Sequence, residues 1–145
     1  MTSENRILML VSNPTISPVT GWPIGFWWAG LSHAHEAFEN AGYKIDIVSP
    51  DGGTLQADRY SSPEDESGYS VQDTISLSFK NDPEKMKLLE DTPALADVDP
   101  AKYDALFVVG GQGPMVTMID NEAVHSFVAA FFEAGKVTSA VCHGT

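Results

Sequence analysis

Four short apolar runs, each closed by turn-forming residues, constrain this chain more than any other feature. Arg6–Ser12 reads RILMLVS and ends at Asn13-Pro14, and Lys44–Ser49 reads KIDIVS and ends at Pro50-Asp51-Gly52-Gly53. Asp104–Val109 reads DALFVV and runs into Gly110-Gly111-Gln112-Gly113-Pro114, while Val137–Val141 delivers the chain to Cys142-His143-Gly144-Thr145. A run that is apolar throughout suits a strand buried on both faces, the situation in a parallel sheet covered by helices on both sides. The intervening stretches supply those helices. Phe26, Leu31, Ala34, Phe38 and Ala41 stand near helical spacing before a stop at Gly42, which predicts a helix over Phe26–Asn40. Asp82-Pro83 before EKMKLLED reads as an N-cap, a first-turn proline and a short helix. Asn121–Ala134 carries Val124, Phe127, Val128, Phe131 and Phe132 at helical spacing and stops at Gly135. The expectation is one α/β domain over residues 1–145, with a mostly parallel central sheet flanked by helices. Residues 54–79 are polar and turn-rich without a clear period, and are expected to form a surface excursion.

Composition narrows the function classes. With 145 residues, 43 % of them hydrophobic, the chain suffices for a single buried core. Its formal charge of -12 repels phosphate backbones and anionic lipid surfaces, which argues against nucleic acid and acidic membranes as partners. A single cysteine excludes an internal disulfide framework, and the opening Met-Thr-Ser-Glu-Asn-Arg lacks the basic and apolar regions of a signal peptide. A cytoplasmic location with a reduced thiol is the expectation. No apolar run reaches the roughly 18 residues of a membrane span.

In parallel sheets, ligands sit beyond the carboxyl ends of the strands. Three loops meet there on this reading: those after Ser12 and Val109, and the one bearing Cys142. Ala140-Val141-Cys142-His143-Gly144 has the small-x-nucleophile-x-small form of a nucleophile elbow, whose tight turn requires small residues on either side. A thiol at such a tip, facing the N-terminus of a following helix, ionises more readily than a free cysteine. A lone cysteine after an apolar strand also serves as a small core residue, and both readings stand at this point. His143 is either structural or a proton shuttle beside the thiol. Gly110 and Gly111 fit a plain turn, or a loop whose Gly111 amide converges with that of His143 as an oxyanion hole. Trp22, Phe26, Trp27 and Trp28 suit core or interface packing, with a pocket-lining role for Trp27 as the alternative. His33 and His35 lie two apart and face different sides of a helix, without neighbours that form a metal-ligand set; no metal is expected.

GFWWAGLSHAHEAFENAGYKIDIVSPDGG, LADVDPAKYDALFVVGGQGPM and AGKVTSAVCHGT, in this order, resemble the ThiJ/PfpI superfamily, in the branch of heat-shock chaperones, glyoxalase III enzymes and protein deglycases. The resemblance implies a flavodoxin-like sandwich, usually a homodimer, acting on a small-molecule carbonyl substrate without a cofactor. It implies that Cys142 is the nucleophile, His143 its adjacent histidine and Gly111 the oxyanion-type glycine. Members with glyoxalase activity add the thiolate to the aldehyde of a 2-oxoaldehyde such as methylglyoxal, and the histidine moves the proton that leads to a hydroxyacid.

The sequence departs from that pattern twice. The helix glutamate that hydrogen-bonds the nucleophilic sulfur in the family aligns with Gly30, although glycine inside a helix costs roughly 1 kcal/mol relative to alanine. Weakened catalysis is therefore expected. Family members also continue past the elbow with a helix, further strands and an acidic residue that orients the histidine. The expectation is a companion segment, such as a separate C-terminal chain, that completes the fold. Two other functions are consistent with the same residues: a chaperone or redox-sensing module with an oxidisable Cys142, and an isonitrile hydratase or amidase-type hydrolase.

Overall fold

A computed structural model describes residues 5–145; Met1–Glu4, part of the stretch read above against a signal peptide, lie outside the described residues. Along the chain stand β1 (Arg6–Leu10), β2 (Thr15–Ile16), β3 (Pro23–Ile24), α1 (Trp28–Asn40), β4 (Lys44–Val48) and α2 (Thr74–Lys80). They are followed by α3 (Pro83–Lys87), β5 (Ala105–Val108), α4 (Pro114–Thr117), α5 (Glu122–Glu133) and β6 (Val137–Ala140). The four apolar runs form one sheet in the order β4-β1-β5-β6, with every pairing parallel. This is a flavodoxin-like α/β sheet with helices on both faces.

β1 shows why the runs lack alternation. Leu8 and Leu10 point to one face, where they join Leu106, Val108, Val124, Phe127 and Phe131 beneath α5. Met9 and Val11 point to the other, against Phe26, Trp28, Leu31 and Phe79 beneath α1 and α2. Both faces are dry, so both side-chain rows must be apolar. β6 lies at an edge: Val137 is 68 % exposed, and an apolar cleft of about 640 Å³ opens between α5 and β6.

Two expectations need correction. The first helix begins at Trp28 rather than Phe26, because the preceding backbone is engaged elsewhere. Phe26 N–H donates to the Gln56 carbonyl, Asp58 N–H to the Phe26 carbonyl, and Trp27 N–H to the Gly110 carbonyl. Residues 54–79 are not uniformly an irregular surface stretch, since their end is helix α2, capped by Asp73, whose side chain accepts the Ser76 N–H at 3.0 Å. α2 packs on α1 through buried Phe79 and through a Ser32–Ser76 hydroxyl pair 2.6 Å apart. Serines at the contact positions leave no apolar period to read.

Candidate active site

β6 ends at Ala140, and Val141 extends it by donating its N–H to the Val108 carbonyl at 3.1 Å. The next residue breaks the strand sharply. Cys142 has φ +56°, the one left-handed backbone among the described non-glycine residues, and it is exposed. That conformation costs a residue with a side chain on the order of 1–2 kcal/mol. Residues Cys142–Gly144 then close a single 3-10 turn, in which Gly144 N–H donates to the Val141 carbonyl at 2.9 Å. The need for a small residue two places after the cysteine is visible: a Cβ on Gly144 would lie 2.9 Å from the carbonyl oxygens of both Val108 and Val109.

The glycine turn after β5 faces the elbow. A Cβ on Gly110 would stand 2.6 Å from the Cys142 Cβ and 3.3 Å from the His143 nitrogen. Gly111 has φ +107°, and a Cβ there would lie 2.6 Å from the Gly25 oxygen, the Phe26 carbonyl carbon and the Trp27 nitrogen. The turn is thus pressed between the elbow and residues 25–27, and Gly113 N–H fastens it by donating to the Gly25 carbonyl at 2.8 Å. Among the described residues, no protein acceptor takes the backbone N–H of Gly111 or of His143.

Gly30 lies in α1, one turn from Trp27. A Cβ there would make ordinary contacts, 3.6 Å to Val109 Cγ1, 3.6 Å to Val141 Cγ1 and 3.7 Å to the Gly110 nitrogen. The position therefore looks across at the strand ends that hold Cys142 and Gly110, and a Cβ fits there. Of the residues singled out in the sequence, Cys142, His143, Gly110, Gly111, Trp27 and Gly30 all gather at this edge of the sheet. His33 and His35 do point apart. His33 Nε2 lies 2.7 Å from Asp73 Oδ1 at the surface, whereas His35 is buried edge-on against Phe79.

Asp58 is a member of this region that the sequence pattern did not reveal. It is only 3 % exposed; Oδ1 accepts the Gly25 N–H and Oδ2 the Gln112 N–H, each at 2.8 Å. Burial pushes its carboxyl above the usual carboxylate range, against the pull of those two amides and of His143. One carboxylate thus ties the loop before α1 to the glycine turn. It comes from a polar stretch whose spacing gives no helix or strand signal, and nothing in the sequence distinguishes Asp58 from the acids around it.

Comparison with known proteins agrees with this architecture. The chain is 24 % identical over 165 residues to the probable glutathione-independent glyoxalase hsp3103 of Schizosaccharomyces pombe, covering 99 % of this chain and 63 % of that protein. It is 26 % identical over 114 residues to Glyoxalase 3 of Candida albicans, covering 77 % and 46 % respectively. Among solved structures, the Rapid Encystment Protein of Francisella tularensis superposes with a TM-score of 0.83 at 26 % identity, over 97 % of this chain and 59 % of that one. Glyoxalase III of Candida albicans has the same fold, with a TM-score of 0.73 at 24 % identity over 97 % and 57 %. The chain therefore spans less than two thirds of the length of these relatives. The model of the DJ-1/PfpI family matches residues 28–145, from the start of α1 through the elbow, and the chain belongs to that family.

Proposed function

We propose that this chain is the nucleophile-bearing part of a cofactor-independent enzyme that acts on small reactive carbonyl compounds, as a glyoxalase III or a deglycase. The observation that carries the reading is the left-handed, exposed Cys142 set against the Gly110-Gly111 turn, with His143 next in the chain. The Cys142 thiolate adds to the aldehyde carbon of a 2-oxoaldehyde, forming a C–S bond and an oxyanion that the Gly111 and His143 amides receive. His143 moves the proton from that carbon to the neighbouring ketone carbon, leaving a 2-hydroxy thioester. Water then releases the hydroxyacid and restores the thiolate. Methylglyoxal would give lactate, with the aldehyde carbon oxidised, the ketone carbon reduced, and no external oxidant.

Gly30 makes this a weakened catalyst. Without the family carboxyl group the sulfur lacks a charge-assisted hydrogen bond worth about 1.5–3 kcal/mol. The reading also includes a homodimer. Native mass measurement tests it: a species of twice the subunit mass is expected, and a monomer overturns it.

Incubation with methylglyoxal is the direct test of the reaction. Lactate should appear, should vanish in Cys142→Ser, and should form faster in Gly30→Glu. A second reading draws on the exposure of Cys142 and on Gly30 together: the thiol serves as an oxidisable sensor within a chaperone-like module. Conversion of Cys142 to a sulfinate by peroxide, with no carbonyl turnover even in Gly30→Glu, would favour it.

A further inference from the structure

The turn after β5 is pinned on either side of Gly111. The Gly110 carbonyl accepts the Trp27 N–H at 3.2 Å, and the Gly113 N–H donates to the Gly25 carbonyl at 2.8 Å. Between them the Gln112 N–H donates to Asp58 Oδ2 at 2.8 Å. The Gly111 N–H stays without a protein acceptor, yet its peptide is not loose. A Cβ on Gly111 would lie 2.6 Å from backbone atoms of Gly25, Phe26 and Trp27, so the turn can shift only if that loop shifts too.

Asp58 governs both partners in this contact. Its Oδ1 accepts the Gly25 N–H at 2.8 Å while Oδ2 holds Gln112, so one side chain binds the turn and the loop that presses on it. The carboxylate is itself fixed at its root. Asp58 N–H donates to the Phe26 carbonyl at 2.6 Å, and its own carbonyl accepts the Ser61 N–H at 3.1 Å and the Ser61 hydroxyl at 2.7 Å. Only an acceptor with two oxygens and no donor can take two amides at once, which a side-chain amide cannot do. The ionisable side chain whose charge acts on Asp58 is His143, so the carboxylate is felt at the elbow itself.

We propose that Asp58 is a positioning residue for the reaction at Cys142: by holding Gly25 and Gln112 together, it fixes the Gly111 N–H where the substrate carbonyl oxygen becomes an oxyanion. It acts through the turn and touches no substrate. The proposal rests on the reaction read above and deepens it. The elbow has its own bonds, Val141 N–H to the Val108 carbonyl and Gly144 N–H to the Val141 carbonyl, and Asp58 takes part in neither. Loss of the tie therefore moves the donor and leaves the thiol in place. Displacements on the order of 1 Å in such a site cost up to about 100-fold in rate.

Two reactions of the same thiol separate these effects. Iodoacetamide alkylation forms a C–S bond and expels iodide, with no oxyanion at any stage. Addition to trifluoroacetone forms a C–S bond while the carbonyl electron pair moves onto oxygen. That carbonyl carbon bears no hydrogen, so the adduct goes no further and is read as a new fluorine resonance. In Asp58→Asn, adduct affinity should fall about tenfold and the alkylation rate should stay within about twofold, with kcat for methylglyoxal about tenfold lower at unchanged KM. Gln112→Pro removes the N–H that Oδ2 receives and should give the same result if Asp58→Asn does not fold. An undiminished adduct, alkylation that falls in step with the adduct, or no adduct with the unmodified protein overturns the proposal. A weakened adduct at constant alkylation, in a protein that turns over no methylglyoxal, supports the role of Asp58 and overturns the reaction instead.

Discussion

Cys142 lies so close against Gly110 that a Cβ on residue 110 would stand 2.6 Å from the Cys142 Cβ and 2.7 Å from the Val141 carbonyl oxygen. Neither obstacle is the end of a flexible side chain, so one of the two turns must yield if residue 110 gains a methyl group. Overpacking of this kind costs about 1–3 kcal/mol. Gly110→Ala should lower the denaturation midpoint accordingly and change the rate at which a thiol reagent labels Cys142. Unchanged values of both would show that the turns slide past one another freely.

Gly30→Glu should act in two ways. A helix interior gains roughly 0.5–1 kcal/mol when glycine is replaced by a residue with ordinary helix propensity, and a Cβ at this position makes only ordinary contacts. Stability should rise by that order. A carboxyl group reaching the sulfur should also change the rate of Cys142 alkylation relative to the unmodified protein. An unaltered alkylation rate would mean that residue 30 does not communicate with the thiol.

Asp58→Asn should loosen the same region. An amide offers one acceptor oxygen where the carboxylate offers two, so either the Gly25 or the Gln112 N–H loses its partner in a buried setting. An unmet buried donor costs about 1–3 kcal/mol. Hydrogen exchange should accelerate at Gln112 or Gly25, and stability should fall. Protection equal to that of the unmodified protein at both amides would refute the clamp.

His35 should make the fold sensitive to mild acid. Burial holds its ring below the usual histidine value of 6.5, with Glu39 pulling upward and Lys85 pushing down, and its Nδ1 has no partner in the structure. The folded pKa is depressed, so the unfolded chain binds the proton more readily. The stabilising contribution is present above about pH 6.5 and is lost as pH falls through the folded value. Urea midpoints measured from pH 7 to pH 5 should decline, and His35→Leu should flatten that part of the decline. An identical slope in the variant would assign the acid sensitivity to other groups.

The parts of this molecule that were legible in the sequence share a cause. The run of β1 has two dry faces, and residues such as Leu8 and Met9 record that fact directly in their side chains. Asp82-Pro83 likewise announces α3, because the Asp82 side chain accepts the Glu84 and Lys85 amides within a few residues of itself. The elbow was legible because its steric demand falls on neighbouring positions, as the crowding around Gly144 shows.

Other parts left no such trace. Helix α2 presents Ser76, fully buried, where an apolar residue would have advertised the contact, and its partner is Ser32 on another helix. The beginning of α1 was obscured because the backbone of Phe26 and Trp27 bonds to Gln56, Asp58 and Gly110 instead of entering the helix.

By itself, then, the sequence determined the order of the four sheet strands along the chain, the helices α1, α3 and α5 and the bend at Cys142, because these follow from local spacing and local sterics. Only the tertiary structure decided that Asp58 joins Gly25 and Gln112, residues 33 and 54 positions away. A carboxylate seeking backbone amides depends on where distant loops are brought by the sheet, and any residue can supply an amide. Periodicity therefore cannot encode the pairing.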